Sequence, residues 1–331
     1  MCVTTLDAHV GGAAVRLVTA GLPQIDGASM SQRRLSFEQV ASDVCLRLTR
    51  EPRGHAGLVG AVFTEGDRAD ADAGLLFFTG AGNRSLSGHA AMAAAALALN
   101  HGLITPRTTD VLRLDTESGP AVVRVASRDT RQRVRAVRFE GPPAAVLRGN
   151  VRIATSRRPL RVDVAWSGSE VVAIVEGEAA GVPLSSSHAL ELRRTALELI
   201  TTLDAMLTLT PPGCSDPAPI SACAMVGPAS DLQCDVRSVM VRSDGSVSRS
   251  PSASGTAAVS VVLAAMGVLA PGAVSRHESL SGTSWTAEAT PCAHDPAALT
   301  DVAITAEVHA TGSHEFVLEP EDPLTCGVQW L

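Results

Sequence analysis

Short apolar segments bounded by Gly, Pro or Asp recur along the chain and predict β-strands. They are rich in β-branched and aromatic residues, which favour a pleated, half-buried surface. The predicted strands cover residues 14–18, 60–64, 74–78, 111–114 and 171–175. Two amphipathic patterns, over residues 36–50 and 189–207, predict helices. The pattern as a whole indicates a mixed α/β protein with more strand than helix.

Two further helical segments differ from these because they are apolar on every side. The first covers residues 87–101 and stops at Gly102, and the second covers residues 254–266 and stops at Gly267. A serine before the first turn and a glycine after the last turn are typical start and stop signals. A helix without a polar face is predicted to be buried all round.

The spacing of these two helices indicates an internal repeat. Gly102 and Gly267 lie 165 positions apart, and the same interval separates Ser87 from Ser252. The repeat predicts two related halves, each with curled strands around one buried helix. A helix N-terminus has unpaired N–H groups and partial positive charge, so two such termini facing one cleft would favour a carboxylate or a developing carbanion.

Composition narrows the chemistry that the chain can perform. Of its 331 residues, 45% are hydrophobic, which is enough for a sizeable core. All 27 basic residues are Arg and there is no Tyr. A Schiff-base lysine, a phosphate-binding lysine and a phenolic acid or base are therefore excluded. The net charge of −7 disfavours nucleic acid as a partner, because phosphate binding requires basic surface.

The cysteines and the hydropathy of the chain indicate its cellular compartment and its partners. No pair of cysteines has the CxxC spacing, and an odd, dispersed set favours reduced thiols in a cytoplasmic protein. The seven are Cys2, Cys45, Cys214, Cys223, Cys234, Cys292 and Cys326. No apolar run approaches the roughly 20 residues of a membrane span, and the N-terminus lacks a secretion signal. No spacing of cysteine and histidine residues is typical of a metal site, so no bound metal is expected. Together these features predict a cytoplasmic protein that binds a small molecule and no membrane.

Seven short motifs occur in a fixed order along nearly the whole chain. They are Asp7-Ala8-His9-Val10-Gly11-Gly12 with Arg16, Gly21-Leu22-Pro23, Ala71-Asp72-Ala73-Gly74-Leu75-Leu76-Phe77, Leu86-Ser87-Gly88-His89, Arg249-Ser250-Pro251-Ser252-Ala253-Ser254-Gly255-Thr256, Ser281-Gly282-Thr283 and Glu321-Asp322-Pro323-Leu324. In this order they resemble the proline racemase family, which also contains hydroxyproline epimerases and trans-3-hydroxyproline dehydratases.

The resemblance implies a fold and an organisation. It implies an α+β, diaminopimelate-epimerase-like fold of two pseudo-symmetric halves, with mostly antiparallel strands curled around a central helix in each. We expect the first half to cover residues 1–155, joined by the C-terminal segment 305–331, and the second to cover residues 156–304. The active site is expected in the cleft between the halves, with no cofactor, and a homodimer is the expected assembly.

The resemblance also implies the site residues. Ser87 and Ser252 take the positions of the family's two catalytic cysteines, and His89, which lines the substrate in the family, is kept. Ser254 is a rival for the second position, but Ser252 keeps the Ser-Pro register and the same interval to the closing glycine as Ser87. The substrate-binding positions implied are Gly88, Ser248, Ala253, Ser254, Gly255, Thr256 and His55. Among these, Ser248 replaces the aspartate that holds the substrate amine.

Serine in place of cysteine leaves three hypotheses open. A hydroxyl is far less acidic than a thiol, so an unassisted serine pair is a poor racemase of an unactivated carbon. The first hypothesis is a proton-shift isomerase of a proline-like cyclic amino or imino acid, with His89 as base and Ser87 and Ser252 positioning or relaying. The second is a dehydratase of a 3-hydroxyproline-like acid. The third is a binding protein that kept the fold and lost the chemistry.

Overall fold

The strands account for most of the regular structure in the computed structural model, which describes residues 1–295 and 298–328. Their bounds are β1 (Cys2–Val10), β2 (Ala13–Ala20), β3 (Val59–Thr64), β4 (Ala73–Thr79), β5 (Gly82–Arg84), β6 (Val111–Thr116), β7 (Gly119–Arg128), β8 (Val134–Glu140), β9 (Ala145–Ala154), β10 (Pro159–Trp166), β11 (Val171–Glu176), β12 (Ile220–Gly227), β13 (Val236–Arg242), β14 (Val274–Glu278), β15 (Ser284–Pro291) and β16 (Thr300–Val317). All five strands predicted from the sequence are present.

The helices include all four that the sequence predicts. Their bounds are α1 (Met30–Thr49), α2 (Gly88–His101), α3 (Gly177–Ala180), α4 (Ala189–Met206) and α5 (Ala253–Ala265). Helix α2 ends at Gly102, whose φ of 66° is the left-handed conformation that glycine adopts without strain. Helix α1 begins six residues before its predicted start, because Ser29 caps it and the Asp67 carboxylate accepts from the Met30 N–H.

The first compact unit comprises Met1–Phe139 and Thr305–Leu331. Its strands are hydrogen-bonded in the order β1-β2-β3-β4-β6-β7-β8-β16, and β16 also pairs with β1, which closes a barrel. Helix α2 contacts β1, β2, β3 and β7 and is buried from Gly88 to Ala98, so it fills the interior. Helix α1 packs on the outer face, where its Phe37 and Leu48 join a separate apolar cluster.

The second compact unit comprises Glu140–Ile304. Its strands follow the order β15-β14-β13-β12-β11-β10-β9, and a pair of backbone hydrogen bonds between Ala144 and Thr300 links its two ends. Helix α5 contacts β9 to β13 and β15 and lies inside, whereas the amphipathic α4 packs its Leu192 and Leu199 against the outer face. One buried helix inside and one amphipathic helix outside is the arrangement of the first unit as well.

The two units share one chain path, which accounts for the repeat in the sequence. In the first unit the parallel pair β2–β3 is joined through α1 and the parallel pair β4–β6 through α2. In the second unit the parallel pair β11–β12 is joined through α4 and the parallel pair β13–β14 through α5. The interval of 165 positions therefore relates equivalent elements, and the predicted pseudo-symmetric fold is confirmed.

The division between the units differs in one place from the sequence prediction. Strand β9 pairs with β10, so residues 140–155 lie in the second unit, although the predicted first half extended to residue 155. The apolar pattern of β9 does not show which neighbour the strand pairs with. The C-terminal segment 305–331 lies with the first unit; its last three residues are outside the described part of the chain.

Candidate active site

The N-terminus of α2 places a serine hydroxyl beside a histidine. Ser87 is the N-cap residue, and its hydroxyl makes no capping bond to the helix. Instead its Oγ lies 3.4 Å from Nδ1 and 3.5 Å from Nε2 of His89, and both side chains are buried. These distances are longer than the 2.6–3.2 Å of an engaged base and nucleophile, as is common before a ligand is bound. Because the oxygen is almost equally far from both ring nitrogens, it lies along the in-plane direction of neither, and the two side chains are neighbours without an aligned hydrogen bond.

The first turn of α2 adds a partial positive charge to this pair. The turn begins at Gly88, which brings no side chain, and the first N–H groups of a helix have no partner within it. Helix α2 has no acidic residue in its first turn to neutralise these groups. The terminus therefore suits a carboxylate or a developing negative charge.

The N-terminus of α5 carries a second serine in the equivalent position. Ser252 is the N-cap residue of α5, as Ser87 is of α2, whereas Ser254 lies within the first turn. Its Oγ accepts a bond of 3.4 Å from the Gly255 N–H and lies 3.0 Å from the sulfur of Met240. Unlike Ser87, Ser252 thus has its hydroxyl engaged by its own helix.

Ser252 has an unusual backbone conformation. Its φ of 65° with ψ of 123° is one that residues with a side chain rarely adopt, at a cost of about 1–3 kcal/mol. The Ser252 N–H donates to Ser250 Oγ at 3.2 Å, which holds the peptide in place. Strain of this kind is found preferentially at functional sites, where the surrounding structure maintains it.

The resemblance implies further substrate-binding positions in the second unit, and most of these residues contact other residues of the same unit. Ala253, Ser254 and Gly255 form the first turn of α5 and are buried. Ser248 Oγ donates to the Ser250 carbonyl at 2.8 Å. The Thr256 hydroxyl accepts a bond of 2.8 Å from the Trp285 indole and is fully buried, so it packs the helix against β15. The hydroxyl of Thr256 thus has a structural partner, and the expected contact of this residue with substrate stays a prediction.

His55 lies apart from the Ser87–His89 pair in the first unit. It is exposed in the loop before β3, and its Nδ1 is 3.0 Å from the Ala56 carbonyl oxygen. It lines a cavity of about 440 Å³ together with His9, Arg16 and Arg53, and neither Ser87 nor His89 belongs to that lining. The resemblance implies a substrate-binding role for His55, which stays a prediction, and the structure places this residue in the lining of this other cavity.

No thiol substitutes for the two serines in α2 or α5. Cys45 and Cys223 are buried in the cores behind α1 and α4, and burial raises the pKa of both, that of Cys223 to about 12. Cys2, Cys214 and Cys326 are exposed. The side chains at the two N-cap positions are therefore hydroxyls, and the imidazole of His89 lies beside the first of them.

Within residues 1–295 and 298–328, no group of three His, Cys, Asp or Glu side chains is arranged to hold a metal ion. None of the described helices has the length and apolar content needed to cross a membrane.

Two residues at the α5 terminus escaped the sequence analysis as individual candidates. Ser250 stands in the quoted Arg-Ser-Pro motif, two positions before Ser252, and its local bond to the Ser252 N–H is visible only in the structure. Met240 lies on β13, and its contact with Ser252 joins residues twelve positions apart. The motif is a sequence signal for Ser250, whereas no feature of the sequence indicates a role for Met240.

Comparison with known proteins identifies the family. The sequence model described as proline racemase matches residues 5–329. The chain is 25% identical over 327 residues to a proline racemase of Acetoanaerobium sticklandii, and 29% identical over 326 residues to a 4-hydroxyproline epimerase of Brucella ovis. Each alignment covers 97% of this chain and 96% of the relative.

A solved structure gives the same result for the fold. A hydroxyproline epimerase from Agrobacterium vitis, crystallised with trans-4-hydroxy-L-proline, superimposes with a TM-score of 0.85 at 22% identity. The match covers 98% of this chain and 95% of that one. The fold, the family model and the full-length relatives agree, and the chain belongs to the proline racemase family of isomerases.

Proposed function

We propose that this protein is a cofactor-independent isomerase that moves a proton on a proline-like cyclic amino or imino acid. The observation that carries the proposal is the Ser87 hydroxyl beside His89 at the N-terminus of the buried helix α2. Imidazole is the side chain whose ordinary pKa suits it to accept a proton near neutral pH. His89 is therefore the proposed base, and Ser87 positions the substrate or relays the proton.

The weakness of the available bases limits the substrate. The family's thiols are replaced by hydroxyls, so the C–H bond that is broken must be more acidic than that of free proline. A carbon next to an imine meets this condition, because the C–H electron pair can move toward the C=N bond as His89 takes the proton. The proton is then returned at another ring atom, and neither an oxidant nor water is consumed.

The residue at position 248 supports the same choice of substrate. Ser248 occupies the place of an aspartate that, in the family, holds a protonated ring amine, and its hydroxyl donates to the Ser250 carbonyl. A neutral hydroxyl cannot form an ion pair with an ammonium group. We therefore propose a cyclic imine or enamine acid as the substrate, bound through its carboxylate by the N–H groups of a helix terminus.

A dehydratase of a 3-hydroxyproline-like acid is the second candidate. Ser252 favours it, because the dehydratase branch of the family carries a hydroxyl residue in place of the second cysteine. Loss of hydroxide completes that reaction, so one strong base is sufficient. His89 is the group available for that role. The shared cleft for the two helix termini stays a prediction.

Carbon-bound exchange in D₂O tests the proposal. The protein is incubated with 1-pyrroline-2-carboxylate, trans-4-hydroxy-L-proline and trans-3-hydroxy-L-proline, and deuterium incorporation is followed by NMR against a protein-free blank. We expect exchange into the imine above the blank, with no loss of water from the hydroxyprolines. We expect His89→Ala to lower the exchange rate by about 100-fold or more, since general base catalysis contributes about that much.

The matched control is His294→Ala, which removes an exposed histidine of the second unit. It should exchange at the wild-type rate. Release of a pyrroline carboxylate from trans-3-hydroxyproline would contradict the isomerase and would show that the protein is a dehydratase. Binding of all three acids with neither reaction would mean a binding protein, and an unimpaired His89→Ala variant would remove His89 from the mechanism.

A further inference from the structure

The turn between β14 and β15 contains one of the seven sequence motifs, to which the proposed function assigns no role. The motif is Ser281-Gly282-Thr283, and the turn covers residues 279–283. Ser279 is fully buried, and its N–H donates to the Thr283 carbonyl at 2.8 Å. Its hydroxyl lies 2.8 Å from the hydroxyls of both Ser281 and Thr283. The turn is therefore a compact group of hydroxyls on a fixed backbone.

One hydroxyl of this turn contacts the segment that leads into α5. Ser281 Oγ donates to the Arg249 carbonyl at 2.7 Å, and the two residues are 32 positions apart in the sequence. The Ser281 N–H in turn donates to Ser279 Oγ at 3.2 Å, which holds the donor in place. A hydroxyl has one proton to donate, and that of Ser281 is committed to this carbonyl. The turn thus anchors the backbone three residues before Ser252.

The segment that Ser281 anchors carries the strained N-cap of α5. Ser250 follows Arg249, and its Oγ accepts from the Ser252 N–H at 3.2 Å. Ser252 has a φ of 65°, a conformation that persists only where the surrounding structure enforces it. The bond from Ser281 is a long-range contact of this kind, because it fixes the peptide that joins Arg249 to Ser250.

The equivalent turn of the first unit makes different contacts, and the N-cap there is unstrained. This turn joins β6 to β7, because the pair β4–β6 corresponds to the pair β13–β14. Thr116 Oγ1 donates to the Gly119 carbonyl of the same turn, and Glu117 pairs with Arg34 of α1 at 2.7 Å. Ser87, the N-cap of α2, has an extended backbone with a φ of −139°. The strained N-cap thus lies in the unit whose turn holds the N-cap segment.

We propose that Ser281 is a positioning residue for the N-terminus of α5. Its hydroxyl, acting through the Arg249 carbonyl, keeps the Ser252 side chain against the first turn of the helix, where Oγ lies 3.4 Å from the Gly255 N–H. Without this hydroxyl the segment relaxes toward an unstrained conformation, and the side chain at position 252 moves away from the partial positive charge of the terminus. A role of that side chain in proton transfer rests on the proposed function, whereas its positioning by Ser281 does not.

The test measures the acidity of a thiol at position 252, because a helix N-terminus lowers the pKa of a thiol beside it. Ser252→Cys is titrated with base, and thiolate formation is followed by ultraviolet absorbance after subtraction of the wild-type titration, which contains the same other cysteines. The titration is repeated with Ser281→Ala added, and with Ser281→Thr added, which keeps the hydroxyl. Ser215→Ala in the same background is the control, since the Ser215 hydroxyl contacts its neighbour Asp216. Circular dichroism of each variant confirms that it is folded.

We expect Ser281→Ala to raise the titration midpoint by about half a pH unit or more, since a charge at a helix terminus is stabilised by about that much. Ser281→Thr should restore the lower midpoint, and Ser215→Ala should leave it in place. A midpoint that Ser281→Ala leaves unchanged, or that Ser281→Thr raises equally, overturns the positioning role.

Deuterium exchange into 1-pyrroline-2-carboxylate reports separately on the proposed function. In the wild-type background Ser281→Ala should lower the exchange rate and Ser281→Thr should retain it. Exchange that is absent from every protein counts against the proposed function, and the thiol titration still decides the role of Ser281.

Discussion

The two N-cap serines differ in what holds their hydroxyls. Ser252 Oγ accepts from the Gly255 N–H and touches Met240, and the residue has a φ of 65°. Ser87 has an extended backbone, leaves its helix uncapped and turns its hydroxyl toward His89. Equivalent positions in the repeat therefore carry unequal chemistry. The half in which the hydroxyl lies beside an imidazole is the one that we propose removes the proton.

Introducing cysteine at both positions tests this interpretation. A thiol at the end of a helix ionises far more readily than a hydroxyl, so Ser87→Cys/Ser252→Cys should gain racemisation of proline or epimerisation of 4-hydroxyproline. We expect a rise of about 100-fold or more over wild type, measured by chiral chromatography. Ser87→Cys/Ser254→Cys is the matched control, and it should stay at the wild-type level. Equal gains in both pairs would contradict the assignment of Ser252.

At the scale of elements, the buried helix α5 depends on a polar contact inside an apolar core. His277 on β14 is fully buried, with its Nε2 3.1 Å from Ser275 Oγ and 3.5 Å from Ser260 Oγ of α5. Its Nδ1 has no partner among the described residues. Burial lowers the pKa of His277 to about 4, although the Asp235 carboxylate acts in the opposite direction. The core around α5 thus favours the neutral form of this histidine.

Acid should therefore destabilise the protein through this one side chain. The unfolded chain binds a proton at His277 near pH 6.5, and the folded protein only near pH 4. The contribution of His277 to the free energy of unfolding is fully present above pH 6.5. It is lost as the pH falls toward 4, which lowers the free energy of unfolding by about 3 kcal/mol in total. Urea denaturation between pH 7 and 4.5 should show a shallower pH dependence for His277→Gln. His294→Gln should match wild type, and equal slopes in all three proteins would contradict the expectation.

At the scale of the whole molecule, the two units differ in the number of chain segments that form them. Glu140–Ile304 is one continuous segment, with β9 to β15 and both of its long helices. The first unit needs two segments, because β16 pairs with β1 from Cys2↔Val317 to Val10↔Val308 and closes the barrel. A barrel that lacks this strand leaves two unpaired edges and exposes the interior around α2.

Fragments should reflect this difference. Residues 140–304 expressed alone should unfold cooperatively in urea, whereas residues 1–139 alone should show no cooperative transition. Joining residues 305–331 to residue 139 through a short Gly/Ser linker should restore one, and a linked segment of the same composition in scrambled order should not. Circular dichroism and tryptophan-independent probes such as bound ANS follow each transition. Cooperative unfolding of residues 1–139 by themselves would contradict the dependence on β16.

The sequence by itself determined the fold class, the family, the four long helices and the internal repeat. These depend on local signals: periodicity, the serine and glycine at the helix ends, and motifs in a fixed order. The resemblance to the family named Ser87, His89 and Ser252, because each stands inside one of those motifs. Helix ends at equal intervals are a property of the chain, and no folding was needed to see them.

The tertiary structure alone decided which groups those residues meet. In the structure Met240 contacts Ser252, and the Trp285 indole donates a hydrogen bond to the Thr256 hydroxyl. His55 lines a cavity together with Arg53. The structure also assigned β9 to the second unit. Each of these facts follows from strand register and from packing between distant segments. A shift of one residue in register reverses the face of every side chain, and the linear pattern does not specify that register between strands far apart in sequence.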